Sequence, residues 1–266
     1  MKQCNNCNHE NEEEGKFCEN CGIPLGGTVI QEVAATAEGA PSPVNQQASQ
    51  YIEEAKKISK MYFSYFLEVL KKPYSSSVNV GKEHFLNGII TIALFSVLIP
   101  LITYFGLKGV LSDLNFLGEE LNIKPPFTDI VLKPTFAYAI FVFLVAVFTF
   151  VSIKLGRVNI SFQEVTARFG SFLIPAVALL GLGLIMSILK IKLFVFFVFL
   201  GFITAAFLVP PLVIASFKKQ SQEGVDVIYG SLLTYFLTFI AMLIMGDMLF
   251  EVLKNFVQKS IGTGLF

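Results

Sequence analysis

The sequence predicts an all-α membrane protein, a bundle of five spanning helices behind a polar amino-terminal third. Three observations carry that expectation. Of 266 residues, 54% are hydrophobic and 15% charged, with a mean hydropathy of +0.65; a soluble globular chain carries about 25% charge. The charge is unevenly spread, since residues 1–84 hold 8 of the 20 Lys+Arg and 11 of the 20 Asp+Glu. Beyond them run five uncharged apolar stretches, each near or above the roughly 20 residues that cross about 30 Å of hydrocarbon. Net charge is zero, so no global electrostatic case for nucleic acid exists.

The first element, residues 1–25, is set by its cysteines. Cys4, Cys7, Cys18 and Cys21 form two C-x2-C knuckles separated by ten residues. Each knuckle can aim two thiolates at one point, and two knuckles complete the tetrahedral sulfur shell of a structural zinc. Two disulfides or a redox pair are the alternatives. A segment this short has almost no apolar core, so one Zn2+ would supply its folding free energy. Four thiolates leave no open coordination position, which makes the expected role structural. His9 is read as a surface histidine, because softness favours the sulfurs. Residues 1–25 carry Lys2 and Lys16 against Glu10, Glu12, Glu13, Glu14 and Glu19; a phosphate-binding surface needs the reverse. An acidic ribbon is better suited to protein contacts.

Residues 26–50, rich in Gly, Ala, Ser, Pro and Gln, read as a flexible linker. Residues 51–72 read as an amphipathic helix, with Tyr51, Ala55, Ile58, Tyr62, Tyr65 and Val69 on one stripe. Lys56, Lys57, Lys60, Lys71 and Lys72 flank it, and Pro73 stops it. A basic amphipathic helix before a span suits an anionic headgroup layer, so these five lysines are candidate lipid contacts; packing on a partner is the rival role.

The membrane domain, residues 85–250, is expected to span at 85–107, 134–153, 169–189, 193–217 and 227–246, with a tail at 251–266. Lys190-Ile191-Lys192 forces a tight hairpin between the third and fourth spans. Pro100, Pro175, Pro210 and Pro211 are expected kinks. With the amino terminus inside, inner segments hold 13 Lys+Arg and outer ones 7. That bias nearly vanishes close to the spans, but zinc-binding thiols also need a reducing compartment. The expected location is therefore the plasma membrane, with the amino terminus cytoplasmic and the carboxyl terminus outside.

Catalytic signatures are missing from the sequence. No Asp, Glu, Lys, Arg or His interrupts the five apolar runs, and His9 and His84 are the two histidines. A proton relay or an intramembrane Ser-His pair is therefore not expected. Neither HExxH nor a glycine-rich phosphate loop occurs. The chain is expected not to be an enzyme.

The segment FCENCGIPL at 17–25, with CNNC at 4–7, resembles the zinc-ribbon heads of bacterial membrane proteins. The region from Leu70-Lys71-Lys72-Pro73 through five spans, with Arg168-Phe169-Gly170 opening the third, is similar to Yip-type five-span domains. It also looks like uncharacterised zinc-ribbon membrane proteins of Gram-positive bacteria. The resemblance implies an organising role through protein contacts. The expected function is a membrane scaffold or regulator whose partners are the lipid bilayer and proteins met through the ribbon, without nucleic acid. A permease or channel-like subunit, or a zinc or redox sensor, is the alternative.

Overall fold

The computed structural model describes residues 2–3, 9–11, 19–20, 43–116, 126–218 and 224–262. The chain divides into two compact units, Met1–Glu53 and Glu54–Phe266. In the first, strands β1 (Lys2–Gln3) and β2 (Glu10–Asn11) pair antiparallel, with Gln3 opposite Glu10.

Helix α1 spans Pro43–Lys71, so it begins inside the stretch that composition reads as linker. Proline suits a first helical position, and the Asn, Gln and Ala that follow do not oppose a helix. The short helix α2 (Pro73–Val78) starts at the proline that ends α1, with Lys72 between them. A 3-10 turn at Lys82–His84 leads into α3 (Phe85–Phe116). Helices α4 (Lys133–Leu155) and α5 (Phe162–Ile188) follow. Then come α6 (Phe194–Ile203), α7 (Val209–Lys218) and α8 (Val227–Gly262).

Among the described residues, five helices are long and apolar enough to cross a membrane: Lys82–Val110, Thr128–Leu155, Phe162–Ile188, Phe194–Lys218 and Val227–Gly246. Helix α5 is central, for Val165–Ile174 are buried without interruption, as only a helix surrounded on all sides can be. It crosses α3 where Gly88 meets Gly170; a methyl on Gly88 would sit 2.6 Å from the Thr166 carbonyl. Small residues let two backbones approach this closely.

Two π-helical turns interrupt the spans, Thr128–Leu132 and Thr204–Leu208. Both precede prolines, Pro134 and the pair Pro210-Pro211. Proline cannot donate to the carbonyl four residues back and its ring presses on it, so the helix widens there. The carbonyl of Phe207, which Pro211 cannot reach, accepts Tyr235 Oη at 2.7 Å.

Candidate functional site

The elements converge on one end of the bundle, termed the proximal face. It carries the first turns of α3, α5 and α8 and the last turns of α4 and α7. Lys218 Nζ donates to the Gly156 carbonyl at 3.0 Å. Gly224 adopts φ +77° in contact with Gly156, where a Cβ would lie 2.7 Å from the Gly156 carbonyl carbon.

At the centre of this face stands Arg168. Helix α5 opens on Ser161, whose hydroxyl accepts from the Glu164 amide at 3.3 Å, the first half of a capping box. That start places Arg168 about 9 Å into the helix at 1.5 Å per residue. The residue is only 8% exposed. Its Nε and Nη2 both donate to the Val80 carbonyl, at 3.2 and 3.1 Å, and Nη1 donates to Ser216 Oγ at 3.1 Å. The guanidinium lies 3.6 Å from the Phe217 ring centroid, and Glu164 Oε1 stands 3.9 Å from Nη2. A planar fork with several fixed donors suits this role; an ammonium could not reproduce it. Ser216 in turn donates to the Val213 carbonyl at 2.7 Å.

Two hydroxyl pairs join α1 and α2 to the same face. Tyr62 Oη and Thr91 Oγ1 are 3.0 Å apart, and Thr91 already donates to the Asn87 carbonyl at 2.9 Å, which leaves Tyr62 as the donor. Ser77 and Ser171 share a hydrogen bond of 2.8 Å in full burial. Tyr65 stacks on His84 with centroids 4.9 Å apart, and Asn87 Nδ2 lies 3.0 Å from His84 Nδ1. Burial raises the Tyr62 phenol against a lowering by its bond to Thr91, and pushes the Tyr65 phenol up to about 12. Both therefore stay neutral across the physiological range.

These contacts assign the second half of the α1 stripe. Tyr62 and Val69 are buried, with Tyr65 and Phe66 half-buried beside them, whereas Tyr51 and Ile58 are exposed. The stripe seen in the sequence thus packs on protein where it reaches the bundle. Lys56, Lys57, Lys60, Lys71 and Lys72 are all exposed. Cys4, Cys7, Cys18 and Cys21 lie outside the described residues. Among the described residues, no group of three or more His, Cys, Asp or Glu is placed to hold a metal.

Two polar recesses open beside the clamp. One, of about 600 Å³, is walled by Gly81, Lys82, Glu83, Asn159, Ser161 and Glu164 among others. The second, of about 330 Å³, includes Tyr65, Glu68, Asn79 and His84. Arg168 turns its described donors toward Val80 and Ser216, so its chemistry is positional: it holds the Asn79–Gly81 turn against α5 and α7. The sequence reading noted Arg168 only as the residue opening the third span. The signal that could have found it is Ser161-x-x-Glu164, which starts the helix two turns earlier.

Residues 52–259 match a family described as a domain of unknown function, DUF6574. The chain belongs to this family. It is also similar to the uncharacterized protein YvbI of Bacillus subtilis (strain 168), 32% identical over 232 residues, covering 87% of this chain and 89% of YvbI. A second relative from the same organism, the uncharacterized protein YebC, is 28% identical over 171 residues, 63% of this chain and 62% of YebC. No solved structure matches the chain. The DUF6574 match begins at Ile52 in α1, so the helix clamped at the proximal face and the five spans fall within one family unit, and the four cysteines fall outside it.

Proposed function

We propose that this DUF6574 protein is a multi-pass membrane scaffold or regulator, without enzymatic activity, whose amino-terminal ribbon recruits protein partners. The observation that carries the reading is the clamp. Arg168, the Tyr62–Thr91 pair and the Ser77–Ser171 pair fix α1 and α2 to the spans. The helix that leads toward the amino terminus is thereby anchored on the bundle. The buried polar groups of the spans mostly bond back into their own helices, as Ser96 does to Ile92 and Thr149 to Val145.

Cys4, Cys7, Cys18 and Cys21 would hold one Zn2+. Their donor set fits: four thiolates in two knuckles suit a closed tetrahedral site. The pairing of Gln3 with Glu10 supports it, since Cys4 and Cys7 fall in the segment between the two strands. Bound there, zinc supplies folding free energy and no reaction chemistry. The thiols favour a reducing compartment, which supports a plasma-membrane location with the proximal face cytoplasmic. The Yip-type likeness enters as an analogy for the organising role.

The test is crosslinking and pull-down from native membranes, comparing wild type with a Cys18→Ser, Cys21→Ser variant whose zinc content is measured. Partners lost together with zinc are expected. An unchanged partner set, with the variant still inserted, would overturn the recruiting role. Solute flux in proteoliposomes that survives deletion of residues 1–50 would point to a permease instead.

A further inference from the structure

Helix α1 has a second apolar stripe that the bundle does not cover. At 100° per residue, Tyr62, Tyr65, Phe66 and Val69 centre on the side facing α3. Phe63, Leu67 and Leu70 lie roughly 120° around the helix from them and are 61%, 40% and 36% exposed. Lys56 continues this second stripe toward the amino terminus, and Lys60 and Lys71 border it on the side away from the bundle, all exposed. Glu53 shares that border, while Glu54 and Glu68 fall on the remaining, opposite flank.

We infer that Phe63, Leu67 and Leu70 dock α1 on the surface of an anionic lipid leaflet, with Lys56, Lys60 and Lys71 at the headgroups. Three observations select that occupant. An apolar stripe with a basic border is complementary to an anionic interface. The stripe also belongs to the unit that carries the spans, and α1 is fixed to α3 through Tyr62 and Thr91. Finally, Leu86 and Ile89, at the start of α3, are themselves 53% and 38% exposed, so the apolar exterior of the first span begins at the same end. The contacting face is therefore not the stripe that periodicity picks out most strongly, because that one is already engaged by protein.

The inference rests on the chain spanning a bilayer, and its test separates the two ideas. The sequence contains no tryptophan, so single Leu67→Trp and Leu86→Trp variants of the full chain are clean probes. Each is reconstituted in phosphatidylcholine vesicles with and without 30% phosphatidylglycerol, using acyl chains brominated near the headgroup. Quenching of Leu86→Trp in both vesicle types reports insertion; its failure overturns the spanning reading itself. With insertion established, Leu67→Trp is expected to be quenched more strongly in anionic vesicles. Replacing Lys56, Lys60 and Lys71 by Gln should remove at least half of that difference, since each lysine near an anionic surface is worth about a fivefold change in partitioning. Access of aqueous iodide to Leu67→Trp, shielding from both quenchers, or equal bromolipid quenching with and without the lysines would each overturn the inference.

Discussion

Replacing Arg168 by Met tests whether the clamp holds the proximal face together. Methionine keeps much of the volume and removes every donor. The Val80 carbonyl, in a residue 5% exposed, then loses both guanidinium bonds, and a buried acceptor left without a partner costs about 1–3 kcal/mol. Loss of the cation over Phe217 adds about 0.5–2 kcal/mol. Ser216 loses little, because its hydroxyl still bonds to Val213. Relief of the buried charge offsets part of the sum, leaving a net loss of about 2–3 kcal/mol. For a chain of this size that corresponds to a fall in Tm of roughly 4–12 °C in detergent. Hydrogen exchange should rise more at Ser77–His84 than in α8, since the bonds of Arg168 go to Val80 and Ser216. Arg168→Lys should recover little, since one ammonium cannot supply the fork. Glu164→Gln should shift stability by less than about 1 kcal/mol, because its partly exposed carboxylate stands 3.9 Å from Nη2. A Met variant within 1 °C of wild type, or full rescue by Lys, would refute the clamp.

Other expectations follow from the same geometry. Gly170→Ala should destabilise by about 1–3 kcal/mol through overpacking, because a methyl there runs into the Gly88 backbone; a thermal melt in detergent decides it. Tyr235→Phe should cost about 0.5–1.5 kcal/mol by orphaning the Phe207 carbonyl, and Pro211→Ala should suppress that cost by restoring a backbone donor, which a double-mutant cycle reads directly. The Tyr65 phenol is raised by burial to about 12 from 10.0. Its stabilising share is thus fully present below pH 10 and lost as pH climbs toward 12. Wild type should therefore weaken relative to Tyr65→Phe over that window, and parallel pH-stability curves would contradict the burial.

How much of this was legible depended on which solvent acted on each segment. Lipid leaves a strong mark, because a spanning helix must be apolar over its whole length. Each of the five apolar runs accordingly falls on one of the long apolar helices, the third and fourth overhanging by one residue at Leu189 and Leu193. The true ends were harder. Helix α5 starts at Phe162, yet its first turns, Phe-Gln-Glu-Val-Thr-Ala-Arg, are too polar to join an apolar run. A boundary drawn by hydropathy starts at Phe169 and leaves Arg168 at the mouth of the third span, two turns short of the true start of the helix. Its partner Val80 lies 88 positions away, and no local pattern encodes that distance. Of the prolines expected to kink the spans, the Pro210-Pro211 pair follows a π turn, whereas Pro100 and Pro175 lie inside α3 and α5; the other π turn precedes Pro134, at the start of α4.

Helix α1 shows the opposite limit. Protein buries only the second half of its strongest stripe, from Tyr62 to Val69, while Tyr51, Ala55 and Ile58 are exposed; periodicity reports only that a face avoids water, and protein and lipid satisfy that demand equally. What separates them is the polar chemistry at the edges. A face that meets protein carries hydroxyls that find partners, as Tyr62 finds Thr91. A face that meets a leaflet carries long cationic side chains that can reach headgroups, as Lys56, Lys60 and Lys71 flank Phe63, Leu67 and Leu70. On that criterion α1 is a wedge with two working faces, one held by the bundle and one turned to lipid. A perturbation of α1 would then act on two contacts at once, the leaflet and the Tyr62–Thr91 bond.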